Sequence, residues 1–147
     1  MLILGSLPGE RSLAEQRYYA HPQNRFWHLV SEVIGRDLQP LPYNERLAAL
    51  LEAKVGLWDV VASATRTGSL DAAIREAEPN ALTDLAASLP DLRAVGFNGA
   101  ASAKIGTAQL ACAPLALVPL PSSSPAYASM PLEEKERRWA RLREFLS

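Results

Sequence analysis

The sequence predicts an α/β fold, a three-layer α/β/α sandwich around a central, mostly parallel four-stranded sheet. Two observations carry this. Four short runs, MLILG at 1–5, VGLWDVV at 55–61, RAVGFNG at 93–99 and LALVPLP at 115–121, are bounded by turn residues and are almost continuously apolar, as strands covered on both faces are. Between them lie segments of helical period, and strands that alternate with helices build parallel sheets flanked by helices.

Taken in order, the first run opens into a long loop, GSLPGERSLAEQRYYAHPQN at 5–24. The segment 25–35 then places Phe26, Leu29, Val30, Val33 and Ile34 on one helical stripe, with Gly35 placed to end it. Asn44 can cap ERLAALLEAK, which leads into the second run. After the loop DVVASATRTGS at 59–69, Ser69 can cap a helix over LDAAIREAE, and NALTDLAASL runs helically up to Pro90. The third run ends in FNGAAS and the fourth in PSSSPAYASM, both of loop composition. PLEEKERRWARLREFL closes the chain as a helix with Pro131 in its first turn. Trp27, Trp58 and Trp139 each fall in an apolar pattern that suits core packing.

The 147 residues, 48% hydrophobic, suffice for one core and so for a single domain over 1–147. A formal net charge of −1 supplies no global attraction to nucleic acid or anionic lipid, so any polyanion must meet a local group of Arg and Lys. One cysteine, Cys112, excludes an internal disulfide and reads as a small buried apolar residue. No His/Cys cluster has metal-ligand spacing, and no apolar run is long enough to cross a bilayer. A cytoplasmic protein without metal or cofactor is expected.

In open parallel sheets, ligands bind beyond the carboxyl ends of the strands, so the loops after the four runs are where chemistry is expected. GSLPG lacks the endings of a P-loop and the spacing of a dinucleotide turn. PSSSPA lacks the base and acid of a serine triad: His28 reads as a partly exposed helix residue and His21 as a loop brace. What remains conspicuous is YYAHPQNRFW at 18–27, which crowds aromatics and an amide onto a loop-to-helix junction.

In sequence order, GSLPG, YYAHPQNRFW, a strand ending WDVV, FNG and a strand ending LPSSSPA resemble the uracil-DNA glycosylase superfamily, in particular its hypoxanthine-DNA glycosylase branch, over nearly the whole chain. The resemblance implies a monofunctional glycosylase that flips a deaminated base out of DNA, hypoxanthine foremost, and hydrolyses its N-glycosidic bond as a monomer. Uracil or xanthine is the alternative within the class, and a noncatalytic nucleic-acid-binding module the alternative outside it. Tyr19 matches the aromatic that stacks on the extruded base, which has lost its neighbours in the duplex. Asn24 matches the catalytic amide, its oxygen orienting a water and its NH2 anchored elsewhere; helix capping is the competing role. Leu7 stands where relatives carry an acid or amide, so water activation cannot reside there. Ser122 matches the residue that donates a hydrogen bond to the leaving base. Ser123 and Ser124 match phosphate-holding serines, or form a serine-rich turn. Tyr127 falls at the position of a wedge residue, for which Ala126 is too small. Asp59 and Asn98 are candidate base readers; Asp59 equally suits turn capping or pairing with Arg66, and Asn98 equally suits bracing its turn through Gly99.

Overall fold

The structure is a computed structural model that describes residues 1–5, 19, 24–59, 61–65, 75–79, 82–124 and 129–146, with the side chains of 59, 61–65 and 75–79 outside that description. Its strands are β1 (Leu2–Gly5), β2 (Gly56–Asp59), β3 (Val61–Thr65), β4 (Arg75–Pro79), β5 (Ala94–Asn98) and β6 (Ala116–Leu120). Its helices are α1 (Phe26–Ile34), α2 (Tyr43–Glu52), α3 (Leu82–Ala87), α4 (Ala100–Leu110) and α5 (Leu132–Trp139), the last running into a 3-10 turn at Ala140–Phe145.

The four expected strands form one sheet in the order β2-β1-β5-β6, every neighbouring pair parallel. Because strand side chains alternate between faces, β1 feeds two cores. Ile3 packs with Phe26, Leu29, Val30, Leu50, Val118, Trp139 and Leu142 on the side of α1, α2 and α5. Leu2 and Leu4 pack with Leu82, Val95, Phe97 and Leu110 on the side of α3 and α4. Both faces are thus covered by helices, which makes the three layers and explains the nearly unbroken apolar runs. On β5, Gly96 faces Leu120 and Leu142, where an added Cβ would lie 3.1 Å from Leu120 Cδ1.

Several elements differ from the sequence expectation. Part of LDAAIREAE, expected as a helix, lies in β4, which pairs antiparallel with β3 through an irregular register. Ala, Arg and Glu are good helix formers, but propensity is a weak prior that tertiary context overrides, and here the segment takes backbone partners on β3. The helix α4 was not evident, since AASAKIGTAQL has no apolar stripe. The reason lies in the packing: Gly106 rides directly over Phe97, where a Cβ would stand 2.2 Å from Phe97 Cε1. Asn44 falls inside α2, whose N-cap is Pro42. Trp58 is 44% exposed on edge strand β2, outside the core expected for it, whereas Trp27 and Trp139 are buried. Cys112 is exposed, contrary to the burial expected. It follows α4 at the surface, and burial tendency yields to position in the fold. Gly35 ends α1 at φ 73° as expected, donating its N–H to Ser31 O at 2.9 Å.

Candidate active site

In the sheet order, the chain passes from β1 to β2 on one side and later enters β5 on the other, so the topological switch point lies at the carboxyl ends of β1 and β5. Four of the residues singled out from the sequence meet there: Tyr19 between β1 and α1, Asn24 at the entry to α1, Asn98 as the last residue of β5, and Ser123 in the loop after β6.

One hydrogen-bonded chain joins them. The Ser123 N–H donates to Asn98 Oδ1 at 2.9 Å, which turns the Asn98 NH2 toward Ser123 Oγ at 2.9 Å and toward Tyr19 Oη at 3.3 Å. Ser123 Oγ in turn donates to Asn24 Oδ1 at 2.8 Å, and the Phe26 N–H donates to the same oxygen at 2.9 Å. A backbone N–H can only donate, so the carbonyl end of each amide is fixed by its backbone partner. The Arg25 N–H donates to Ser123 O at 2.9 Å, a second bond between the same loop and the start of α1. Beneath them the Trp139 indole N–H holds Pro121 O at 2.9 Å, satisfying the one polar atom of a fully buried ring.

The aromatic platform is Tyr19. Its ring lies on that of Phe26 with centroids 3.8 Å apart and planes 11° from parallel, while Phe26 is wholly buried. Phe26 is in turn packed edge-on by Trp27 and Trp139. Tyr19 stands at φ 54°, in the left-handed region that costs a non-glycine residue about 1–2 kcal/mol, and it is held there by the ring stack and the Asn98 bond. At the end of β5, Gly99 takes φ 101° and ψ 165°, a region open almost only to glycine, and its N–H reaches Leu120 O at 3.0 Å. FNG is needed in that order because the chain must turn there without moving Asn98.

The internal partners of the expected site residues are these. Asn98 is 6% exposed with both ends of its amide engaged inside the protein, the bracing arrangement. Ser123 is 1% exposed, and its N–H and hydroxyl serve Asn98 and Asn24. The Ser124 N–H is taken by Ser122 Oγ at 3.1 Å. The Asn24 oxygen, expected to orient a water, carries two internal hydrogen bonds, one from the N–H of the first residue of α1, while the N-cap position itself is Arg25. Ser122 is half-buried and accepts from Ser124, and among the described residues nothing accepts its own hydroxyl proton. Leu7, Tyr18, His21, Arg66, Ala126, Tyr127 and the Asp59 side chain lie outside the described residues, with the Asp59 backbone placed at the end of β2 opposite Gly5. His28 sits on α1 between Glu136 Oε1 at 2.8 Å and the Gln39 amide at 3.4 Å, a bridge between helices.

Two neighbouring residues also bear on this region, the first of them not expected there from the sequence. Phe26 backs the platform; the signal was its place two residues after Asn24, whose oxygen accepts its N–H. Lys135 on α5 is 4% exposed, and burial first, then the nearby Arg25 guanidinium, lowers its pKa below the ordinary lysine value. A separate cavity of about 570 Å³ lies at the opposite ends of the strands, lined by Leu51, Lys54, Pro90, Arg93 and Phe145 among others, and contains none of the candidate site residues.

A stacked aromatic floor beside a fixed amide, at the switch point of a parallel sheet, is the kind of site that receives a planar ring. The chain belongs to the uracil DNA glycosylase superfamily, whose family model matches residues 1–144. Within it, the chain is 46% identical over 99 residues to the hypoxanthine DNA glycosylase of Methanosarcina barkeri and 43% identical over 99 residues to that of Methanosarcina acetivorans. Each match covers 67% of this chain and 63% of the relative's length. The fold also superposes on a solution NMR structure of a candidate uracil DNA glycosylase from Methanosarcina acetivorans, with a TM-score of 0.85 at 36% identity, covering 98% of this chain and 88% of that one. No helix among the described residues is long and apolar enough to cross a membrane.

Proposed function

We propose that the protein is a monofunctional DNA glycosylase that accepts a flipped deaminated base, hypoxanthine foremost, and hydrolyses its N-glycosidic bond, acting as a monomer in the cytoplasm. The observation that carries this is Tyr19 stacked flat on buried Phe26 beside the Asn24 amide. A base drawn out of the duplex loses its stacking, and an aromatic side chain such as Tyr19 is suited to replace it. Both named relatives being hypoxanthine DNA glycosylases supports the choice of base.

The chemistry asked of the protein is modest. The bond breaks through an oxocarbenium-like sugar, and the protein must place the nucleotide, admit a water and stabilise charge on the departing base. Neutral donors can do the last of these. Ser122 has a hydroxyl proton to offer, and Asn24 an NH2. Tyr127 as the wedge, Ser124 as a phosphate contact and Asp59 as a reader of the base edge complete the proposed site.

Base release from duplexes carrying hypoxanthine, uracil or xanthine opposite each normal base tests the reading. The expected order puts hypoxanthine first, with mismatched inosine released fastest because it is easiest to flip. Binding without release on every one of these duplexes would reject the enzyme and favour a binding module on the same fold.

A further inference from the structure

The hydrogen bonds around Asn24 define which end of its amide is available to a substrate. A carbonyl oxygen has two lone pairs, and those of Asn24 are taken by the Phe26 N–H at 2.9 Å and the Ser123 hydroxyl at 2.8 Å. The direction of the second bond is imposed from further inside. The Asn98 NH2 points at Ser123 Oγ because the Asn98 oxygen is claimed by the Ser123 N–H, so Ser123 accepts from Asn98 and has its one proton left for Asn24. Each bond in this series polarises the next. Among the described residues, nothing accepts from the Asn24 NH2.

We infer that Asn24 works as a hydrogen-bond donor, its NH2 stabilising negative charge on the departing base, and that Ser123 is the positioning residue that holds the amide in this sense. The inference rests on the glycosylase reading and deepens it. In the reaction the C1′–N bond breaks and its electron pair stays with the base, where the Asn24 N–H meets the charge at a ring nitrogen or carbonyl oxygen. The oxygen of a water bonds to C1′, that water loses a proton to solvent, and the base takes up a proton from solvent. Water activation is thereby removed from Asn24, whose oxygen has no lone pair to lend.

Asn24→Asp separates the two roles. A carboxylate keeps an acceptor for Phe26 and Ser123, so the fold is retained, but it places an anion where the NH2 was. Measured as single-turnover release from an inosine duplex near neutral pH, N24D is expected to fall about 100-fold, the order lost with one donor to a developing charge. It is expected to recover as pH falls and the carboxylic acid regains an O–H to donate. N24D as active as the wild type, or more so, near neutral pH would overturn the inference, since that is what a water-activating group gives. Ser123→Ala is expected to lower turnover while leaving affinity for the inosine duplex unchanged; an equal loss in both would make Ser123 merely structural. A second measurement stands apart from turnover. In a complex with a duplex carrying noncleavable 2′-fluoro-deoxyinosine, the Asn24 side-chain NH2 proton resonances are expected to shift downfield. Resonances unmoved while the neighbouring backbone signals respond would reject the donor role even if the wild type releases base. Movement without any release by the wild type would reject the enzyme reading and keep the polarity.

Discussion

Ser123 Oγ lies 2.8 Å from Asn24 Oδ1 and donates to it, so the loop after β6 and the entry to α1 are held as one piece. Asn24 therefore carries a structural and a chemical duty together. Asn24→Ala is expected to remove most base release while the chain still unfolds cooperatively. Losing the acceptor of the Phe26 N–H costs about 0.5–1.5 kcal/mol, and leaving the buried Ser123 hydroxyl without its acceptor adds about 1–3 kcal/mol. Urea titration beside single-turnover release checks both. Near-normal turnover would take Asn24 out of the reaction.

Tyr19 offers a separable pair of variants. Tyr19→Ala removes the platform and is expected to weaken binding to inosine-containing DNA by about 1–3 kcal/mol, the usual worth of stacking one base. Tyr19→Phe keeps the ring on Phe26 and loses the contact between Asn98 and Tyr19 Oη, so its affinity should stay near wild type if the ring carries the binding. Equal losses in both would place the hydroxyl, rather than the ring, at the centre of binding.

The close approach of α4 to β5 predicts a stability effect opposite to helix propensity. Alanine is the better helix former by about 1 kcal/mol, yet Gly106→Ala drives a methyl into Phe97, and overpacking of this kind costs about 1–3 kcal/mol. The variant is expected to be destabilised, and combining it with Phe97→Leu should recover part of the loss. Simple additivity in the double variant would mean that the two positions do not press on each other.

Much of this architecture was legible in the sequence for one physical reason. Strands buried on both faces must be apolar throughout, and all four such runs became neighbours in one sheet. The elements that were not legible lack that constraint. AASAKIGTAQL packs through a glycine and small residues, which leave no stripe to count, and the β3–β4 pair is secured by backbone pairing that its composition does not announce. The site was legible as a set of residues but not as a set of roles. The sequence leaves open what Asn98 and Ser123 bond to, and the bond from the Ser123 N–H to Asn98 Oδ1, which fixes the direction of that amide, depends on how two distant loops meet.

Lys135 predicts a pH dependence. Its folded pKa lies below its unfolded value, about 10.4, because burial, and after that Arg25, disfavour the charged form. Between the two values the unfolded chain binds more protons than the native one, so stability associated with this group rises as pH climbs through the folded value and levels off above the unfolded one. Lys135→Met lacks this limb. Stability curves of wild type and K135M on the alkaline side should converge or cross in favour of the wild type as pH rises. A constant difference would mean that Lys135 titrates alike in both states.

The last expectation concerns how a chain of net charge −1 holds DNA. The cations near the loops are Arg11, Arg17, Arg25, Arg66, Lys135, Arg137 and Arg138, of which Arg11, Arg17 and Arg66 lie outside the described residues. Arg137 and Arg138 both pair with Glu134, whose carboxyl is held below the usual range by those hydrogen bonds. Lys135 is buried, whereas Arg25 is exposed at the mouth of the site. The backbone N–H groups of Ser123 and Ser124 add little, because they are engaged within the protein. Each phosphate neutralised contributes about 0.9 to the slope of log affinity against log salt, so roughly two to four contacts give a slope of about −2 to −4. Affinity then depends chiefly on the base held against Tyr19, and an undamaged duplex should bind weakly even at low salt. Binding of inosine-containing and undamaged duplexes across a salt series measures both quantities. A slope as steep as that of a basic DNA-binding domain, or equal affinity for the two duplexes, would place the DNA contacts on a charged surface instead of in the base pocket.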